Sequence, residues 1–204
     1  MQSATKKSSS KSGVDCSSFD LVNAQDWIPS MERLFAEHDI KRVLEFGEGA
    51  GTRWFLDRCA RVTSVEIVVK PEHEEWAHAC YDAYGKCEKW QQWVQPLPSR
   101  LEKAEELAAS GHYPIIRGER KEVQSLIDAA IPVIPYDLIF VDPGTHLRSA
   151  MVNELFGFAD IIAAHDTNVG MMNYGWSTVN PPTEYATHRY FNDGLGTTFW
   201  KRYL

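Results

Sequence analysis

Short apolar runs alternate with amphipathic stretches along most of this chain, and that alternation limits the folds open to it. Lys41–Phe46 (KRVLEF), Val62–Glu66, Trp90–Val94, Tyr136–Val141 (YDLIFV), Ala159–Ala164 and Thr197–Tyr203 read as strands. Leu21–His38, a stretch from Thr52, Pro71–Tyr84, Leu101–Ala109, Lys121–Ala130, Leu147–Phe156 and Thr183–Asn192 read as helices. Leu21, Trp27, Met31, Leu34 and Phe35 recur at helical spacing, and Pro71 suits a first helical turn. Apolar strands separated by helices imply a mostly parallel central sheet with helices on both faces. The expected fold is therefore α/β, a single Rossmann-like domain. The segment from Val169 to Pro182 has no clear period and is expected to form a loop beside the site.

The first fourteen residues, MQSATKKSSSKSGV, carry almost no large apolar side chain. Such a segment cannot bury enough surface to offset its ordering entropy, so residues 1–14 are expected to be a disordered tail and 15–204 the folded domain. The chain has a formal net charge of −7. Nucleic-acid affinity comes mainly from Lys and Arg neutralising phosphates, so this balance argues against a nucleic-acid partner. No apolar run approaches the roughly 18 residues of a membrane span, and the N-terminus lacks the apolar core of a signal peptide. The chain reads as cytoplasmic with no membrane partner, and its oligomeric state is left open. Cys16, Cys59, Cys80 and Cys87 form no C-x-x-C pair and are expected to be ordinary thiols.

In an open α/β sheet, ligands bind beyond the carboxyl ends of the strands, near the point where strand order reverses. Glu45-Phe46-Gly47-Glu48-Gly49-Ala50-Gly51-Thr52 stands at such an end, between a strand and a helix. Glycines there let the backbone approach a ligand closely. Glu66 ends the next strand, where a carboxylate can accept two hydrogen bonds from ribose hydroxyls. A dinucleotide loop reads G-x-G-x-x-G and seats a pyrophosphate on the helix N-terminus. Here Gly51 follows Gly49 by two positions, and Glu45 and Glu48 would repel a pyrophosphate. S-adenosylmethionine carries an ammonium and a sulfonium, which acidic neighbours suit.

The pattern E-x-G-x-G-x-G resembles motif I of the class I S-adenosylmethionine-dependent methyltransferases, and Glu66 resembles their ribose-binding acid. The resemblance covers most of residues 20–204. It implies a Rossmann-like methyltransferase domain whose cofactor, S-adenosylmethionine, is held by Glu45, Gly47, Glu48, Gly49, Gly51, Thr52, Glu66 and Asp142.

Two further strand ends face the same edge. One reads Val141-Asp142-Pro143-Gly144-Thr145-His146 and the next His165-Asp166-Thr167-Asn168. V-D-x-x-x-H followed by H-D-T resembles a branch of small-molecule O-methyltransferases related to the catechol type and to cephalosporin- and macrolide-tailoring enzymes. That resemblance implies methyl transfer to a hydroxyl of a small-molecule acceptor. It also implies a Mg²⁺-type site at Asp142 and Asp166, with Asn168 as a third oxygen ligand. The catalytic candidates are Asp142, His146 as general base and His165 as second choice. The catechol type sets its last two ligands side by side and uses a lysine base; here Thr167 intervenes, and Thr145 and His146 stand in the lysine's place.

Two motifs are set aside. His73 and His78 are five apart and do not share a helix face as H-E-x-x-H does. Asn180-Pro181-Pro182-Thr183 looks like the nucleobase-flipping loop of amino-methyltransferases but lies one strand too late, while Asp142-Pro143-Gly144 lacks its second proline and aromatic. Tyr174, Trp176, Met171 and Met172 are candidates for the wall of an acceptor pocket. The competing readings are N-methyl transfer to a nucleobase or protein side chain, and a non-catalytic domain that only binds S-adenosylmethionine.

Overall fold

The computed structural model describes residues 26–113, 120–128, 135–190 and 194–203. The expected N-terminal tail, Cys16 and Leu21 lie outside them.

Seven strands form one sheet: β1 (Arg42–Phe46), β2 (Arg61–Val68), β3 (Trp90–Pro96), β4 (Tyr136–Val141), β5 (Ala159–His165), β6 (Tyr185–Tyr190) and β7 (Thr197–Arg202). Their spatial order is β3-β2-β1-β4-β5-β7-β6. The first five are parallel, and β7 inserts antiparallel between β5 and β6. The helices are α1 (Ile28–Glu37), α2 (Ala50–Arg58), α3 (Pro71–Tyr84), α4 (Ser99–Ala109), α5 (Arg120–Asp128) and α6 (Arg148–Leu155). Among the described residues, no helix is long and apolar enough to cross a membrane.

The period-two alternation of the central strands divides the interior into two layers. Val43, Leu138, Phe140, Ile161 and Ala163 pack with Trp27, Met31, Leu34 and Phe55 on one face, beneath α1 and α2. Leu44, Phe46, Ile139, Val141 and Ile162 pack with Leu101, Leu126, Met151 and Leu155 on the other, beneath α4, α5 and α6. Buried apolar surface is worth about 25 cal/mol per Å², so these two layers hold the sheet in place. The alternation carries on past the end of β5. His165 reaches Asp26, just before α1, and Asp166 reaches Arg148 on α6.

One expected element is corrected. The expected helix at Thr183–Asn192 is not formed: Phe191 and Asn192 lie outside the described residues, and Tyr185–Tyr190 is strand β6, paired among the described residues only with β7. Its Tyr-Ala-Thr-His-Arg-Tyr run is β-branched and aromatic and follows two prolines, and pairing with β7 overrides its weak helical period. The expected loop after β5 carries a 3-10 turn at Trp176–Thr178.

Candidate active site

The order of strands reverses at β1, which has β2 on one side and β4 on the other. Beyond the carboxyl ends of these strands opens a cavity of about 590 Å³. It is lined by the glycine loop from Gly47 to Gly51, by Glu45, Glu48 and Glu66, and by Asp142, His165 and Asp166. The expected ligand-binding and catalytic strand ends therefore meet in one place.

Gly47 has φ +87°, and a Cβ there would lie 2.2 Å from the carbonyl oxygen of Asp142, so this turn accepts only glycine. A Cβ on Gly49 would lie 2.8 Å from the Trp76 ring, whose Nε1 donates to the Glu48 carbonyl at 2.6 Å. Thr52 is fully buried and does not line the cavity; its Oγ1 accepts the Gly49 amide at 3.0 Å and so shapes the loop.

Three buried carboxylates face this half of the cavity. Glu45 accepts the Ser64 hydroxyl at 2.5 Å, and Glu66 accepts the Glu48 amide at 3.2 Å. Glu48 Oε1 accepts Gln92 Nε2 at 2.5 Å, while its Oε2 is buried without a hydrogen-bond partner. Burial pushes Glu45 and Glu66 up to about 7 and Glu48 up to about 9, against those hydrogen bonds and with the neighbouring acids adding to the rise. His73 Nδ1 stands 3.6 Å from Glu66 Oε1 and 3.1 Å from the Ile67 carbonyl oxygen. Such a cradle repels anions and fits a positively charged ligand.

The other half is built differently. Asp142, His165 and Asp166 bring ligand-type atoms within 4.8 Å of one another. Arg148, in the first turn of α6, reaches between the two carboxylates: its Nη1 lies 2.6 Å from Asp142 Oδ1 and 2.7 Å from Asp166 Oδ2. The place between these two carboxylate oxygens is thus filled by a guanidinium. Asn168 does not join the cluster; its Oδ1 accepts the Gly170 amide at 3.2 Å, and it is absent from the cavity lining.

His165 lies between carboxylates on both sides, with Nε2 2.8 Å from Asp26 Oδ1 and Nδ1 3.3 Å from Asp142 Oδ2. Burial opposes its charge, but Asp142, Asp26 and Asp166 outweigh burial and hold its pKa at about 10. Both of its ring nitrogens are therefore engaged by carboxylates. Asp166 adopts φ 57°, unusual for a residue with a side chain, and Trp176 pins it by donating Nε1 to its carbonyl at 2.7 Å.

His146 occupies the turn between Gly144 and Arg148, which line the cavity, and is itself absent from the lining. Its Nδ1 and backbone amide both meet Glu105, at 2.9 Å from Oε1, and the Thr145 hydroxyl donates to the same carboxylate. Glu105 is buried, whereas the His146 side chain is 40% exposed. Tyr174 packs against His146 and covers the Arg148 guanidinium at 4.2 Å. Of the expected acceptor-wall residues only Met172 lines the cavity; Tyr174 packs on His146 and Arg148, Trp176 bonds the Asp166 carbonyl, and Met171 is exposed.

Arg148, Glu105, Asp26 and Trp76 carry no motif that would single them out along the chain. Each is an ordinary helix or loop residue there; packing brings Arg148 and Trp76 to the cavity lining, and Glu105 and Asp26 to His146 and His165.

A Podospora anserina methyltransferase solved with SAH superposes with a TM-score of 0.56 at 13% identity, over 93% of this chain and 81% of that one. A Bacillus cereus O-methyltransferase in complex with SAH gives 0.53 at 13% identity, over 91% and 84%. The fold is that of the class I methyltransferases. No protein-family pattern and no curated protein matches the sequence. The likeness to methyltransferases is therefore one of fold, carried by the sheet order and the position of the cavity.

Proposed function

We propose that the protein transfers the methyl group of S-adenosylmethionine to a hydroxyl of a small-molecule acceptor. The observation that carries this reading is the trio of buried carboxylates, Glu45, Glu48 and Glu66, around the glycine loop of a methyltransferase fold. Burial raises these carboxyls to about 7 and about 9, so only a cation beside them keeps them ionised at neutral pH, and Glu48 Oε2 is a buried polar atom in want of a partner. Glu66 suits ribose hydroxyls, and Glu45 and Glu48 suit the positive charges of the amino-acid end. When bound, S-adenosylmethionine supplies a methyl carbon whose bond to the sulfonium sulfur breaks as the acceptor oxygen attacks it.

The acceptor's proton passes to His146. With Nδ1–H directed at Glu105, the lone pair sits on Nε2, the tautomer a general base needs. A hydroxyl acceptor is favoured by the likeness to the Bacillus cereus O-methyltransferase. It is also favoured by the turn after β4, which carries His146 and lacks the second proline and aromatic of a base-flipping loop.

Calorimetry with S-adenosylmethionine and with NAD tests the first half of this reading, and tight NAD binding with no S-adenosylmethionine signal overturns it. S-adenosylhomocysteine release with catechols, sugars and oligonucleotides tests the second, and turnover on oligonucleotides alone moves the assignment to N-methylation.

A further inference from the structure

The two carboxylates at the ends of β4 and β5 are the donors that a hard cation would need. Three of their four oxygens are hydrogen-bonded to Arg148 or His165, and the fourth, Asp166 Oδ1, is buried beside His165 without a hydrogen bond. Arg148 Nη1 bridges Asp142 Oδ1 and Asp166 Oδ2 at 2.6 and 2.7 Å. His165 Nδ1 stands 3.3 Å from Asp142 Oδ2 and 3.4 Å from Asp166 Oδ1. Arg148 has nowhere else to put its charge. Its side chain is 8% exposed, α6 holds its backbone, and the Tyr174 ring covers the guanidinium at 4.2 Å.

A magnesium ion demands oxygen ligands at about 2.0–2.1 Å in near-octahedral array and keeps several waters. Seating one between Asp142 Oδ1 and Asp166 Oδ2 would evict Arg148 from both partners and leave a buried guanidinium unpaired, which is strongly destabilising. It would also set two positive charges beside the imidazole of His165. Seating it on the opposite oxygens would place it against His165 Nδ1, which would have to give up its proton to serve as a ligand. A guanidinium, planar and permanently charged, is by contrast suited to bridge two carboxylates in a buried place.

We propose that Arg148 is the resident cation of this edge and stands in for a divalent ion, so that the protein works without one. As a positioning residue it holds Asp142 and Asp166 together at the cavity wall and sets a fixed positive charge beside the place where an acceptor oxygen sheds its proton. Its consequence for catalysis rests on the methyl-transfer reading; its consequence for metal binding does not.

The test is a titration of the full chain with Mn²⁺, followed by paramagnetic resonance, in parallel with S-adenosylmethionine calorimetry on the same sample. The wild-type protein is expected to show no saturable Mn²⁺ site at millimolar ion, and its turnover is expected to be unchanged by excess chelator. Arg148→Ala frees the two carboxylates, so it should gain a saturable site that the added change Asp166→Asn removes. A stoichiometric Mn²⁺ site in the wild-type protein, lost in Asp142→Asn, overturns the proposal, and this arm decides even where Arg148→Ala does not fold. Absence of S-adenosylmethionine binding alongside absence of a metal site would remove the methyl-transfer reading and leave the assignment of Arg148 intact. Binding of both ligands would do the reverse.

Discussion

Both halves of the cavity are walled by acids and treat them in opposite ways. Around the glycine loop, Glu45, Glu48 and Glu66 are met by hydroxyl, amide and side-chain amide donors and by each other's charge, and their pKa values are driven up. At the ends of β4 and β5, Asp142 and Asp166 are bridged by Arg148, and His165 is held charged between Asp26 and Asp142. Desolvation is costly for any buried charge, and the two halves answer that cost from different sources. The half at the ends of β4 and β5, the proposed catalytic half, carries its own countercharge. The other half awaits one from a ligand, which is why it reads as the seat of a cation and the catalytic half does not.

The sharpest way to separate the halves is to remove a group that belongs to chemistry and not to binding. His146→Ala should lower kcat by at least about 10²-fold, since a positioned base contributes 10²–10⁴-fold. S-adenosylmethionine affinity should change by less than about 1 kcal/mol, the signature of an interaction made in the transition state. Glu105→Gln keeps an acceptor for His146 Nδ1 and loses the charge, so it should cost about tenfold in kcat, or about 1.4 kcal/mol. If His146→Ala retains normal kcat, the base lies elsewhere, and the ordering by Glu105 is purely structural.

On the binding side, Glu66→Ala should weaken S-adenosylmethionine by about 1.5–3 kcal/mol through lost charge-assisted hydrogen bonds while leaving kcat at saturation nearly unchanged. An equal loss of kcat would show that the halves are not separable in this way. Calorimetric titration with saturating kinetics on the same variant makes the distinction.

The smallest effect is a dependence on pH. Carboxylates whose folded pKa is raised contribute stability that is present below the unfolded value near 4.5 and lost as pH rises through about 7 for Glu45 and Glu66 and about 9 for Glu48. His165, raised to about 10 from 6.5, acts with the same sign over a higher window. The free protein should therefore lose thermal stability between about pH 5 and 9, and S-adenosylmethionine should restore more of the Tm at the upper end than at the lower. A ligand-induced rise in Tm that is constant with pH would mean that the glutamates are already countercharged in the free protein.

Much of this cavity is legible along the chain. The glycine loop, Glu66 and the two strand ends at Asp142 and His165–Asp166 each follow an apolar run, and a run of that kind in an α/β pattern must end at one edge of a parallel sheet. The failure at Thr183–Asn192 has the complementary cause. An edge strand with one partner has little apolar signal of its own, and its conformation comes from β7. Asn168 stands near the site in sequence yet spends its side chain on a local turn, whereas Thr52 both holds the glycine loop and hydrogen-bonds Glu45.

Sequence by itself determined the strand-and-helix alternation, the glycine loop and the acidic character of the site, because these depend on residue type and on spacing within one segment. Tertiary structure alone decided the charge balance of the catalytic half. Asp26 comes from before α1, Asp142 from the end of β4, Arg148 from the first turn of α6 and His165 from the end of β5. Whether two carboxylates wait for a metal or already hold a guanidinium is a matter of a few ångströms between those segments. A Coulomb energy that falls with distance and rises with burial is settled only when the chain has packed.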